Sequence, residues 1–137
     1  MSIKGICELT LETDDPDGLA AFYEEIGLER LATTEADRVW LAAGESCRLG
    51  LWTSGKKEHG DRGGGHVHFA FSVGPGAVER IGNGLRDRAI EVEGPVEHEG
   101  GDRSIYFDDP EGNRVEVWDF FETREGRRAG VAALDDR

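Results

Sequence analysis

Glu8, Gly50, His68 and Glu116 are the positions of this chain that bear most directly on chemistry, and an internal repeat selects them. Glu8-Leu-Thr-Leu-Glu12 matches His68-Phe-Ala-Phe-Ser72, and Arg48-Leu-Gly-Leu-Trp52 matches Arg114-Val-Glu-Val-Trp118. Asp37-Arg-Val-Trp is set against Asp102-Arg-Ser-Ile, giving offsets of 60, 66 and 65 residues in the three comparisons. A glutamate on a strand is ordinarily just solvated, so Glu8 alone would say little. Repetition changes its meaning, because self-similarity at a fixed period marks equivalent places in two copies of one unit. Two carboxylates and one imidazole at such places suit a divalent cation, Fe²⁺, Mn²⁺, Ni²⁺ or Zn²⁺, with open positions left for a substrate. Gly50 leaves the first copy without a fourth donor, and a glutamate there is expected to supply one.

The elements that must carry these residues follow from periodicity. Residues 5–13 alternate, with Cys7, Leu9 and Leu11 on one side and Glu8, Thr10 and Glu12 on the other, as a half-buried strand does. Asp15-Pro16 supplies an N-cap and a proline at the first helical position. Leu19, Phe22, Tyr23 and Ile26 then form one apolar stripe, and Gly27 closes the helix. Strands are expected over 37–42 and 47–53 around an Ala43-Gly44-Glu45 turn, with a weaker one over 29–33. The second copy repeats the order β-α-β-β-β. A strand runs over 66–73, and a helix marked by Val78, Ile81 and Leu85 follows Pro75. Further strands fall over 89–93, 103–108 and 113–121, the last two joined by the tight turn Asp109-Pro110-Glu111-Gly112.

If each helix covers the apolar face of its sheet, the other face carries Glu8, His68 and Glu116. Two such modules together curl into an open, barrel-like cup with those residues inside. The expected class is therefore α+β, two βαβββ modules with helices outside and mixed sheets. It is read as one domain, with module one at about 4–54, a glycine-rich connector at 55–65, module two at about 66–122 and a charged tail at 123–137. The connector's glycines fit neither nucleotide-binding motif, and no lysine-serine or lysine-threonine pair follows them.

A net charge of −13, with only three lysines, opposes nucleic acid and anionic membranes as partners. Cys7 and Cys47 make no disulfide framework and read as reduced thiols. The first residues lack a signal-peptide pattern and no apolar run approaches a membrane span, so a soluble cytoplasmic protein is expected.

The string Ser104-Ile-Tyr-Phe-Asp-Asp-Pro-Glu-Gly-Asn-Arg-Val-Glu116 resembles the signature that closes domains of the vicinal oxygen chelate superfamily. That group includes glyoxalase I, the bleomycin and fosfomycin resistance proteins, methylmalonyl-CoA epimerase and the extradiol dioxygenases. His68-Phe-Ala-Phe-Ser-Val73 resembles the strand opening the family's second module. Asp14 to Leu28, with Phe22-Tyr23 and Gly27-Leu28, resembles its first helix. The resemblance implies a metal held by Glu8, His68 and Glu116, with two departures from the family pattern. Glu8 stands where histidine is usual, and Gly50 where a carboxylate or amide ligand is. A Glu/His/Glu set favours harder, oxygen-preferring ions and fits neither a typical glyoxalase I nor a typical extradiol dioxygenase.

The implied function is a divalent-metal-dependent enzyme of lyase, isomerase or dioxygenase type, acting on a small metabolite that chelates the ion through neighbouring oxygens. Glu116 and His66 are the candidate catalytic groups, His66 as proton carrier. Arg48, Gly50, Trp52, Arg103, Tyr106 and Trp118 are the candidate substrate contacts. The alternative is a protein that sequesters a drug or metabolite without chemistry. A homodimer is expected, because each module leaves sheet edges to be covered and members of the superfamily often pair.

Overall fold

The computed structural model describes residues 6–32, 35–53 and 68–123. These fall into two compact units. One holds the first module together with Asp109–Glu111, and the other holds the rest of the second module.

In the first module β1 (Glu8–Thr13), α1 (Pro16–Ile26), β2 (Glu29–Arg30), β3 (Arg38–Ala42) and β4 (Arg48–Thr53) follow in order. The sheet order is β1-β4-β3-β2, with β1 parallel to β4 and the other pairs antiparallel. α1 begins where its capping chemistry dictates. Asp15 Oδ1 accepts from the Gly18 N–H at 3.0 Å, and Pro16 sits at the position where a missing N–H costs nothing. It ends at Gly27, whose φ of 121° needs glycine and whose N–H bonds to Glu24. Leu19, Phe22 and Tyr23 are buried with Val39, Leu41, Leu49 and Leu51 in one apolar layer. Ile26 stays half-buried at the end of the stripe.

The Asp109–Glu111 turn packs with this module through polar bonds. The fully buried Tyr23 hydroxyl donates to Asp109 Oδ2 at 2.5 Å, and Thr13 Oγ1 donates to Glu111 Oε1 at 2.8 Å. Burial first, and then the Asp109 carboxylate, push the Tyr23 phenol far above its ordinary pKa.

The second module repeats the plan with β5 (Phe69–Ser72), α2 (Ala77–Asp87), β6 (Glu93–Glu97), β7 (Arg103–Asp108) and β8 (Arg114–Trp118). Its sheet order is β5-β8-β7-β6, again with the first strand parallel to the last. Val78 and Leu85 of α2 are buried with Ile105, Phe107, Val115 and Val117. Gly82 lies over Ile105, where an added Cβ would make ordinary contact at 3.5 Å, so the packing leaves room for alanine at this helix-weakening glycine.

Several boundaries differ from the sequence reading. The strand expected over 89–93 lies at Glu93–Glu97, because residues 88–90 close α2 instead. Ala89 adopts a φ of 61°, and the Ile90 N–H returns to the Leu85 carbonyl at 3.0 Å. The strand expected over 113–121 stops at Trp118, and a 3-10 turn takes Phe120–Glu122. The weak strand over 29–33 shrinks to Glu29–Arg30. Of the strand expected over 66–73, residues 66 and 67 lie outside the described residues. Among the described residues no helix is long and apolar enough to cross a membrane.

Candidate functional site

Strand register decides which side chains share a face, since a slip of one residue exchanges the two faces. In the second module Ala70 and Tyr106 both pair with Glu116, so His68, Tyr106 and Glu116 project from one side. The opposite side carries half-buried Phe69 and the buried Val115, Val117, Ile105 and Phe107, the layer under α2. In the first module Thr10 and Trp40 both pair with Gly50. The equivalents are therefore Glu8 with His68, Gly50 with Glu116 and Trp40 with Tyr106.

This register corrects the 65-residue match of Asp37-Arg-Val-Trp to Asp102-Arg-Ser-Ile. β3 and β7 are offset by 66 residues, Trp40 to Tyr106, as are β4 and β8. A shared Asp-Arg pair suggested the slipped match, and the slip set Trp40 against Ile105 of the apolar layer.

On the polar face of the second module the His68 Nε2 lies 3.3 Å from Glu116 Oε1. Glu116 is buried at 3% exposure, while the imidazole is 40% exposed. Tyr106 packs edge-on to His68, with ring centroids 5.9 Å apart. Its phenol pKa is raised by burial first, then by hydrogen bonding to Glu116 and that group's charge, while Ser104 and Arg114 oppose the shift. Ser104 Oγ in turn lies 2.9 Å from His98 Nε2. Arg114 stands over the Tyr106 ring and is held by Glu93 at 2.6 Å and Asp108 at 3.2 Å.

The donor geometry fits a shared cation. Two donors about 2.1 Å from one ion would lie about 3.0 Å apart at right angles and about 3.4 Å apart in a tetrahedron. The observed 3.3 Å falls between these limits. A buried carboxylate beside an accessible imidazole also suits ions that accept both nitrogen and oxygen. Within each module taken by itself, no three His, Cys, Asp or Glu side chains gather among the described residues. The pair His68–Glu116 thus brings two donor side chains together without a third among the described residues.

The first module uses the same face differently. Glu8 Oε1 accepts from Arg48 Nε at 3.0 Å and from Arg48 Nη2 at 2.9 Å, while Oε2 accepts from Thr10 Oγ1 at 3.1 Å. The Arg48 guanidinium lies 3.7 Å over the Trp40 ring, and Arg38 lies 3.7 Å over Trp52. The two indoles meet edge to face at 6.0 Å, and Trp40 Nε1 donates to Glu35 at 3.2 Å. Gly50 sits beneath them. A Cβ there would lie 2.5 Å from Trp40 Cζ3 and 2.8 Å from Trp52 Nε1, closer than such contacts allow. The space expected to admit a fourth ligand is filled by aromatic rings, so a glutamate at position 50 has no room to act as one.

Of the other expected contacts, Trp52 and Trp118 lie on the polar faces of their modules, and Trp118 Nε1 donates to buried Asp102 at 2.6 Å. Arg103 follows the opposite parity. It projects toward α2, where its guanidinium pairs with Glu79, so it stands on the other side of the sheet from His68. His66 lies outside the described residues. Trp40 and Ser104 escaped sequence reasoning. The one-residue register shift was the signal that would have placed both on the polar face.

The chain is similar to several known proteins. The Glyoxalase family, described as the Glyoxalase/Bleomycin resistance protein/Dioxygenase superfamily, matches residues 5–117. Metallothiol transferase FosB of Bacillus licheniformis is 28% identical over 123 residues, covering 84% of this chain and 75% of the relative. Among solved structures, a lactoylglutathione lyase from Agrobacterium tumefaciens is similar with a TM-score of 0.63 and 25% identity, covering 86% of this chain and 95% of that one. An integron cassette protein from the mobile metagenome of a Halifax Harbour sewage outfall gives a TM-score of 0.65 at 27% identity, covering 85% and 98%.

Proposed function

Because the chain belongs to the glyoxalase/bleomycin resistance protein/dioxygenase superfamily, we propose that it is a divalent-metal-dependent enzyme acting on a small metabolite with two neighbouring oxygens. The reaction is of lyase, isomerase or dioxygenase type. The observation that carries the reading is the 3.3 Å approach of His68 Nε2 to the buried Glu116 carboxylate. Relatives named as a metallothiol transferase and a lactoylglutathione lyase support it. His68 and Glu116 would hold the ion, one of Fe, Mn, Ni or Zn, with Glu8 the further candidate ligand. Bound there, the cation supplies Lewis-acid stabilisation of charge on a chelated oxygen.

The chain's own groups do the rest. Tyr106, its phenol pKa raised, stays protonated at neutral pH and offers an O–H on the face that carries His68. Glu116 is both ligand and proton acceptor, and His66 is the candidate that carries the proton onward. Arg48, Trp52 and Trp118 provide the cationic and aromatic contacts on the polar faces. The active form is a homodimer, for which light scattering at micromolar concentration is the check.

The first module favours a second reading in one respect. Its edge-to-face indoles, each with an arginine over it, resemble an aromatic and cationic platform for a ligand, as a sequestering protein would present. Titration of chelator-stripped protein with Mn²⁺, Ni²⁺ and Zn²⁺ separates the two. One saturable site per chain supports the enzyme. No binding of any ion gives sequestration first place.

A further inference from the structure

We propose that Cys7 and Cys47 form a redox modification site, a thiol pair that a peroxide joins into a reversible disulfide between β1 and β4. They are the chain's two cysteines, far apart in sequence, and the first module's ladder sets them side by side. Glu8 is the in-register partner of Arg48 in the parallel β1–β4 pair, and Cys7 and Cys47 immediately precede these two residues. The Arg48 N–H donates to the Cys7 carbonyl at 2.9 Å, so the pairing reaches Cys7. The Ala43 N–H donates to the Cys47 carbonyl at 2.9 Å, which holds Cys47 in the β3–β4 hairpin. Equal register in a parallel pair gives equal parity, so both side chains leave the face that carries Leu49 and Leu51. Both thiols are free, Cys7 exposed and Cys47 half-buried. The Cys47 Sγ donates to the Arg48 carbonyl at 3.9 Å, a weak bond that rotation of the thiol breaks at little cost.

Strand spacing makes the bridge reachable. Paired strands lie about 4.8 Å apart, inside the ~4.4–6.8 Å Cα range of a disulfide and slightly beyond the ~3.5–4.5 Å that its Cβ atoms prefer. Side-chain rotation and a small strand shift therefore suffice, and the resulting strain belongs to disulfides that are labile rather than structural. Electrons balance with a peroxide as oxidant. The exposed Cys7, as thiolate, attacks one peroxide oxygen, the O–O bond breaks, and Cys7 becomes a sulfenic acid. The hydroxide released takes up the thiol's proton as water. The Cys47 thiol then attacks the Cys7 sulfur, the S–S bond forms, and the sulfenic oxygen leaves as a second water. Each sulfur has lost one electron, and the peroxide has been reduced to two waters. The bridge fastens β1, an edge strand of its sheet, to β4 at the residues just before Glu8 and Arg48. It requires no ion at His68 and Glu116, so it stands apart from the metal reading.

The test treats the reduced full chain with hydrogen peroxide, at high dilution so that links between chains are suppressed, and maps the thiols by alkylation and mass spectrometry. Most chains should lose two hydrogen atoms, with the Cys7 and Cys47 peptides joined within one chain and both thiols disappearing together. Cys7→Ser and Cys47→Ser should each abolish the bridge and leave a sulfenic or higher acid on the remaining cysteine. Millimolar glutathione should restore both thiols without denaturant, as befits a strained and accessible bridge. A register control distinguishes the folded ladder from chance collision of two thiols. In the Cys7→Ser/Glu8→Cys variant the first thiol moves one place along β1 to the opposite face, and its bridging to Cys47 should be lost. Thiols that stay alkylatable or oxidise separately overturn the proposal, as do links found only between chains. Equal bridging in the register variant, or a bridge that glutathione leaves intact, overturns it as well.

Discussion

The two modules share a topology and a register, yet their polar faces do opposite things with equivalent positions. In the second, Tyr106, Glu116 and His68 leave a buried carboxylate beside an exposed imidazole. In the first, Trp40 covers Gly50 and Arg48 closes over Glu8. The backbone ladders match, and a few side chains make one face a carboxylate beside an imidazole and the other an aromatic and cationic cluster. What differs is the volume and charge at one site, the residue opposite the middle of the third strand. A glutamate there is buried and usable. A glycine there makes room for an indole, and the indole removes the room for any ligand.

The contrast is most exposed at the His68–Glu116 pair. His68→Ala or Glu116→Gln should lower divalent-ion affinity by on the order of a hundredfold or more, since even outer-shell partners of a metal ligand are worth ten- to hundredfold. Calorimetric titration reads this directly. If either variant binds as wild type does, the second module is not the chelating half.

At the stacked end, Gly50→Ala should destabilise the fold by about 1–3 kcal/mol, because its Cβ meets the Trp40 ring rather than empty space. Chemical denaturation followed by tryptophan fluorescence measures it. Gly50→Glu should bring no gain in metal affinity, whereas Gly50→Glu combined with Trp40→Ala reopens the space. A gain in the single variant would show that the indoles yield easily and that the two faces are less distinct than their geometry implies.

The smallest effect concerns pH. Both modules hold a raised tyrosine, but the stronger shift belongs to Tyr23 beside Asp109. Below the ordinary tyrosine value of 10.0 both folded and unfolded chains keep the proton, so the pairing's contribution is fully present. Above it the unfolded chain loses the proton while the folded one retains it, and stability falls as pH rises. Tyr23→Phe should flatten that alkaline decline more than Tyr106→Phe does, at a cost of about 1–3 kcal/mol near neutrality for the disturbed Asp109 pairing. Urea unfolding at pH 8 to 11 gives both numbers.

Much of this was legible in the residues. Asp15-Pro16 and Gly27 marked both ends of α1, and the matched Arg48 and Arg114 segments marked the last strands, because capping and alternation are local signals. His68 and Glu116 were legible as a pair for the same reason, since each lies in a strand whose parity is readable alone. What stayed hidden depended on neighbours across the sheet. The pairing of Trp40 with Gly50, the turning of Arg103 toward Glu79 and the engagement of Glu8 by Arg48 are matters of register between strands. No single segment records that. The shift of β6 to Glu93–Glu97 has a similar origin, because the closing turn of α2 took residues that alternation alone assigned to a strand.

The most direct test of the difference between the modules is anomalous diffraction from crystals grown with Mn²⁺. The account predicts one strong peak per chain within bonding distance of His68 Nε2 and Glu116, and none beside Trp40 over Gly50. A peak over Gly50, or an ion that binds without touching His68 or Glu116, would contradict it.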